Sequence, residues 1–356
     1  MSRESLCITV PRVHGERTIA FASKLAIIDR ALEIQSDANY VYVPLTRQPS
    51  AEELAGLKGQ VPDYTFKLYV FPEKKKQSKI IMEILEGQLS PHLMASLPKA
   101  LDIVGDIAIV EVPPELETQK NLIGTAILEA HRNVRTVLAK AGAVSGDYRL
   151  RDFAVIAGEP RTSTVHKEFG CTYHVDVVRA YFSPRLSFEH NRVASLVQGS
   201  ETVVDLFAGV GPFSVLIAKN RESVKVYAVD LNPDAVELLR TNIRLNRVEN
   251  RVFPILGDAR LIVEEKLKGV ADRVIMNLPE KAIEFVDVAC KALKTEGGTF
   301  HFYGFVHEPD SLDALKARFA EAVGNSGRHV HQLLLAKTVR ETAPYECQVV
   351  LDAKII

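Results

Sequence analysis

The chain has 356 residues, 47% of them hydrophobic and 25% charged, with a formal net charge of -1. That is long enough for two or three soluble domains with cores of their own. It excludes a membrane-spanning protein, since no apolar run reaches the roughly 18 to 20 residues a bilayer needs. It also excludes binding of nucleic acid by overall charge, leaving only local basic patches for that purpose.

In chain order, residues 1–62 read as a small α/β module with a strand at 7–10, a helix at 21–31 and an alternating strand at 40–44. Residues 63–71 read as a strand that opens a second α/β module, spanning 63–178. That module is expected to hold a strand at 107–112 and a long helix from about 116 to 141. The helix follows Pro113 and Pro114 and closes on Gly142. Short strands between 155 and 178 complete the module. Lys74, Lys75 and Lys76, and the basic residues Arg149, Arg151, Arg161, Lys167, Arg179 and Arg185, are candidate RNA contacts. From 179 to 356 strands and helices alternate. The last two strands adjoin, which fits a mostly parallel, Rossmann-like seven-stranded sheet with an antiparallel insertion. Cys7, Cys171, Cys290 and Cys347 lack metal-ligand spacing, so they read as reduced, mostly buried residues and no metal is expected.

The most specific local signal is residues 203–213, an apolar strand followed by Gly209, Gly211 and a helix. The two glycines would let backbone N–H groups approach a ligand at the strand's carboxyl end. A dinucleotide fingerprint would place a third glycine where Ser214 stands, and Asp205 would repel a pyrophosphate. The stretch resembles motif I of the S-adenosylmethionine methyltransferases, whose ligand carries an ammonium and a sulfonium. Asp230, 21 residues after Gly209, ends the next strand and suits ribose hydroxyls, while Asn232 suits a cap for the helix starting at Pro233. Asp258 follows at a third strand end, where it reads as a ligand contact or as a cap.

The strand 273–277 ends in Asn277, Leu278 and Pro279, where the reacting group should lie. Leu278 and Glu280 replace the proline and aromatic that enzymes methylating exocyclic amines carry. The Pro-Cys nucleophile of pyrimidine C5 methylation is also absent, which leaves a purine ring nitrogen as the better target.

The chain resembles the archaeal and eukaryotic tRNA guanine-37 N1-methyltransferases over nearly its whole length. The residues that carry this are Asp147 to Arg151, 157–162, 165–170, Val175 and Asp176, Tyr181 to Arg185 with Glu189, motif I, and the Asn-Leu-Pro tripeptide. That tripeptide separates it from the wyosine-pathway enzyme that transfers an aminocarboxypropyl group. The lack of a spanning run and of an apolar signal-peptide core predicts a cytoplasmic protein. The resemblance implies a monomeric tRNA methyltransferase that reads the anticodon loop and tRNA body, the latter through its N-terminal module, without a membrane or an obligate protein partner. It implies S-adenosylmethionine contacts at Asp205, Phe207, Ala208, Gly209, Gly211, Asp230, Leu231, Asp258, Ala259 and Asn277.

N1 of guanine carries a hydrogen at neutral pH, so a base must remove it. Glu189 is the candidate, with its pKa expected to be raised in a water-poor pocket. By resemblance Arg149 stabilises the charge that shifts to O6, Asn277 and Pro279 hold the base edge, and Tyr181 lines the pocket. Residue type alone leaves Glu189 equally readable as a first-turn helix acid and Arg149 as a phosphate contact. The rival functions are aminocarboxypropyl transfer or methylation of the tricyclic wyosine intermediate at the same nucleotide, and an RNA-binding scaffold without turnover. A nicotinamide dehydrogenase is opposed by Ser214 and Asp205.

Overall fold

The computed structural model describes residues 2–356 except 38, 59, 60, 62, 74–76, 99, 143–145, 147, 308, 309 and 344. The lysine triplet 74–76 and Asp147 therefore lie outside the described residues. The chain forms two compact units, Met1–Ile84 and Leu85–Ile356.

The first unit is built on a sheet of order β2-β3-β1-β4, from β1 (Ser2–Pro11), β2 (Gln35–Ser36), β3 (Tyr40–Pro44) and β4 (Thr65–Pro72). Helix α1 (Gly15–Lys24) starts earlier than the pattern suggested. Ile8, Val10, Val41 and Val43 are buried with Ala22 of α1, so the sheet's apolar face meets the helix. The strand expected to open the second module is β4, and it pairs antiparallel with β1 from Ser2 to Thr9. Its alternating residues suit a half-buried strand in either place. Pairing partners are not encoded in the strand itself.

Helices α2 (Ala51–Lys58), α3 (Gln77–Leu85) and α4 (Pro91–Ala95) follow. Next come β5 (Leu101–Val104), β6 (Ile107–Val110), helix α5 (Lys120–Ala130), β7 (Thr136–Lys140) and β8 (Phe153–Gly158), in one sheet of order β5-β6-β7-β8. The expected helix to 141 is thus two elements. His131 leaves helical geometry at φ -121°, ψ 87°, and the β-branched Thr136 and Val137 enter a strand parallel to β6. A crossover helix between parallel strands requires that break.

Strands β9 (Ser163–Glu168) and β10 (Cys171–Asp176) form a hairpin. Helix α6 (Ser187–Leu196) leads into β11 (Thr202–Asp205), α7 (Pro212–Asn220), β12 (Lys225–Asp230), α8 (Pro233–Asn246), β13 (Val252–Leu256), α9 (Ala259–Ile262), β14 (Arg273–Met276), α10 (Val286–Ala292), β15 (Gly298–His307), α11 (Leu312–Asn325), β16 (Val330–Ala343) and β17 (Glu346–Ile355). The sheet order β13-β12-β11-β14-β15-β17-β16 carries the expected antiparallel insertion of β17. Strand order reverses between β11 and β14, and a crevice opens outside their carboxyl ends there.

Helix α8 also fastens the β9–β10 hairpin to this fold. Asn242 Oδ1 accepts from His174 N–H at 2.7 Å and Asn246 Oδ1 from Thr172 N–H at 2.9 Å, while their amides donate back to the same two residues' carbonyls. These carboxamides satisfy the free edge of β10, so the hairpin packs against helix α8 of the seven-stranded fold, within the one unit that runs from Leu85 to Ile356.

Candidate functional site

A cavity of about 280 Å³ lies at the carboxyl ends of β11, β12 and β14. Of the residues expected to hold a cofactor, Phe207, Ala208, Gly209, Asp230, Leu231, Asp258, Ala259 and Asn277 line it. Asp205 and Gly211 do not. Asp205 is fully buried at the end of β11, where Ser214 donates its hydroxyl to Oδ2 at 2.7 Å. The serine that breaks the dinucleotide fingerprint therefore supports this carboxylate. Burial pushes the Asp205 carboxyl up to about 7, against the opposing hydrogen bond of Ser214.

The glycine turn works differently from the expectation. Gly209 N–H donates to Asp230 Oδ2 at 2.6 Å, and Gly211 N–H donates to the Ala208 carbonyl at 2.9 Å. Both amides are consumed inside the protein rather than offered to a ligand. Gly211 is needed for packing instead. Its φ is +90°, and a Cβ there would stand 2.3 Å from Leu239 Cδ1 of α8.

Asp230 accepts from Gly209 and Asn232 N–H groups, and burial pushes its pKa up. Asn232 caps α8 as expected, accepting from Asp234 N–H at 3.0 Å. Asp258 combines both of its readings, capping α9 through Arg260 N–H at 2.7 Å while lining the cavity. Phe285, missed in the sequence, forms an aromatic wall with Phe207 at 5.0 Å between ring centroids, and Arg260 covers it at 3.7 Å. No spacing rule ties Phe285 to motif I.

Asp205 Oδ1 and Asn277 Oδ1 are among the buried acceptors with no hydrogen-bond partner among the described residues, and Asn277 lines the smaller cavity. A buried acceptor left open is costly unless a donor arrives with a ligand. Asn277 Oδ1, Asp230 and the Phe207–Phe285 wall suit a cationic nucleoside such as S-adenosylmethionine, with the Asp205 carboxylate behind that lining.

A larger cavity of about 670 Å³ adjoins the first, and Arg149, Tyr181, Phe182, Ser183 and Glu280 line both. Pro279, Lys140, Arg151, Arg185 and Arg340 face the larger one. The guanidinium of Arg149 lies 4.8 Å from the Tyr181 ring centroid, and its Nη2 donates to Glu280 Oε1 at 3.1 Å. Arg340, also missed, donates to Ser183 Oγ at 3.0 Å and to the Tyr181 hydroxyl at 3.4 Å. The structure therefore brings Arg149, Tyr181, Asn277 and Pro279 together where the cavities meet.

Glu189 departs from expectation. It lines neither cavity, although Leu186, three residues before it, and His190, the next residue, line the smaller one. Burial pushes its pKa up, but the hydrogen bond from Lys337 and the charge of Arg192 outweigh this and hold it below the usual carboxylate range. The raised pKa expected of a water-poor pocket is thus corrected, because two cations share the site. Arg192 was detectable at i+3 from Glu189, whereas Lys337 arrives from β16 with no local signal.

Three family models match consecutive parts of the chain: the tRNA methyltransferase 5 N-terminal domain at residues 7–53, the TYW2 N-terminal domain at 81–162, and the TRM5/TYW2 methyltransferase domain at 164–330. The tRNA (guanine(37)-N(1))-methyltransferase Trm5b of Pyrococcus abyssi is 36% identical over 351 residues, 99% of each chain, and its crystal structure superposes with a TM-score of 0.70. The chain belongs to the TRM5/TYW2 methyltransferase family. The solved complex of aTrm5 with tRNALeu is 33% identical, covers 99% of this chain and 100% of its own, and has a TM-score of 0.67. The tRNA 4-demethylwyosine(37)-methyltransferase Taw21 of Saccharolobus solfataricus is 36% identical over 257 residues, 72% of this chain and 94% of its own. Among the described residues, no helix of this family member is long and apolar enough to cross a membrane.

Proposed function

We propose that this chain methylates N1 of guanosine 37 in tRNA, with the base turned out of the anticodon loop into the larger cavity. The observation that carries this is the shared wall. Arg149 and Tyr181 line both a cavity suited to a cationic nucleoside and a larger one where Arg151, Arg185 and Arg340 stand among the acids Asp102, Asp310, Glu341 and Glu346, and Asn277 with its open Oδ1 lines the smaller cavity. S-adenosylmethionine supplies the electrophilic methyl on its sulfonium. Asp230, Asp258 and the Phe207–Phe285 wall hold the donor in this reading, with the fully buried Asp205 acting on its charge from behind that lining.

Glu189 acts as the base. It is ionised at rest and buried one turn after Leu186, which lines the smaller cavity, and in this reading it takes the proton from N1. As charge moves to O6, Arg149 stabilises it without reorganising, because Tyr181 and Glu280 already fix its guanidinium. Asn277 Oδ1 and the turn at Pro279 orient the base edge. The first unit, where the tRNA methyltransferase 5 N-terminal domain matches, reads the tRNA body, and the enzyme works as a monomer.

The test is methyl transfer to unmodified tRNA transcripts bearing guanosine, inosine or adenosine at position 37. Guanosine and inosine both keep O6 and N1–H and should gain one CH2, and adenosine should not react. Gain of C4H7NO2 instead would identify aminocarboxypropyl transfer, and no incorporation would identify a binding scaffold. The identity to Taw21 favours one second reading, methylation of the tricyclic intermediate, which transcripts carrying that base would reveal.

A further inference from the structure

The two oxygens of Glu189 are held in different ways. Oε2 accepts from Arg192 Nε at 2.8 Å and from the hydroxyl of the fully buried Tyr303 at 3.0 Å. Arg192 is pinned in turn by Asp352, which takes both of its terminal nitrogens. His301 Nδ1 meets Asp352 Oδ1 at 2.7 Å, and His301 Nε2 meets Arg273 Nη1 at 2.7 Å. A guanidinium only donates, so Nε2 accepts and the proton sits on Nδ1, making His301 a neutral donor to Asp352. Arg273 ends on Glu201 through two bonds of 2.7 and 3.0 Å. One side of the carboxylate is therefore locked by a side-chain chain that crosses β17, β15 and β14.

Oε1 is different. Among the described residues its partner is Lys337 Nζ at 2.7 Å, reaching in from β16 at the edge of the sheet, and that side chain is 43% exposed. An ammonium on a four-carbon stem turns easily toward another anion, and RNA presents phosphates.

We propose that Lys337 is a substrate-operated gate on Glu189: its ammonium covers Oε1 in the free enzyme and moves onto a phosphate of the bound RNA, which frees Oε1 to take the N1 proton. The proposal rests on Glu189 being the base. Among the described residues, the charged and titratable groups bonded to that carboxylate are Arg192 on α6, Lys337 on β16 and Tyr303 on β15, with Asp352 on β17 acting through Arg192. Losing one of two cations leaves a buried carboxylate more basic at the moment the reaction needs it. In the step itself N1–H and the donor's S–CH3 bond break, N1–CH3 and Oε1–H form, and the S–C electron pair stays on sulfur. When the RNA departs, the returning ammonium expels the proton to water and resets the carboxylate.

The experiment compares two pH profiles on the full chain with a guanosine-37 transcript. One is kcat/KM for tRNA, which reports the free enzyme, and the other is the single-turnover rate at saturating tRNA, which reports the complex. In the wild type the acidic limb of the single-turnover profile should lie above that of kcat/KM by about one pH unit or more. In Lys337→Met the kcat/KM limb should rise to meet it, and Lys337→Arg should restore the separation. Coincident limbs in the wild type, or a separation that Lys337→Met leaves intact, would overturn the gate. A Glu189→Gln variant with full single-turnover activity would instead overturn the base itself, so the two failures are distinguishable.

Discussion

Arg149 gives one arm of its guanidinium to Glu280, 3.1 Å away, while its plane rests over the Tyr181 ring. Glu280 stands where amine-methylating relatives of the wider fold carry an aromatic residue. Here it anchors a cation at the junction of the two cavities. The Arg149 Nε remains buried without a partner among the described residues, so the group has donor capacity in reserve.

Replacing Arg149 by alanine should cost about 3 kcal/mol in the chemical step, as expected for loss of an oxyanion donor. Single-turnover rates at saturating tRNA measure this. A loss confined to tRNA affinity, with the rate intact, would make Arg149 a phosphate contact.

Asp205 makes binding of the cationic donor depend on pH. Burial raises its pKa in the free protein from the ordinary carboxyl value of 3.8 to about 7, and the charge of a bound ammonium favours the ionised form. Affinity should therefore rise with pH up to about 7 and then level, with proton release on binding below that point. The sign for stability is opposite. Between 3.8 and about 7 the folded state holds more protons than the unfolded one, so this group's contribution falls as pH rises. Calorimetry in buffers of different ionisation enthalpy reads the proton release, and Asp205→Asn should abolish it. Equal release from the variant would assign the proton elsewhere.

Gly211→Ala should lower stability by about 1 to 3 kcal/mol, because the new methyl meets Leu239 and the backbone sits at φ +90°. The urea midpoint reports this. An unshifted midpoint would show that the α7–α8 contact yields freely.

Asp352→Ala should destabilise the protein by about 3 to 5 kcal/mol, because it strands Arg192 and the neutral His301. His301 is fully buried, and burial itself pushes its pKa down, so protonation does not rescue it. A loss of less than about 1 kcal/mol in denaturant unfolding would mean that water enters and replaces the carboxylate.

The sheet from β11 to β17 was legible because β11, β12 and β14 are short apolar runs closed by an acid or amide, at Asp205, Asp230 and Asn277. The crossover at 120–140 was not. Helix α5 and β7 are both apolar, and only pairing of β7 with β6 separates them. Likewise β4 gives no sign that β1 is its partner. Within the site, residues on strand ends and their turns were readable, and so was the Asn232 cap. The supports of Glu189 were not, because Lys337, Tyr303 and Asp352 come from strands more than a hundred residues away and meet it only in the folded sheet. A pKa set by such partners cannot follow from local sequence, which is why burial alone gave the wrong direction.

The central claim is that Glu189 removes the N1 proton of guanosine 37. Single-turnover methyl transfer by Glu189→Gln, at saturating donor and tRNA, tests it most directly. The predicted result is a rate roughly 10²- to 10⁴-fold below wild type with donor binding unchanged, and a rate equal to wild type would contradict it.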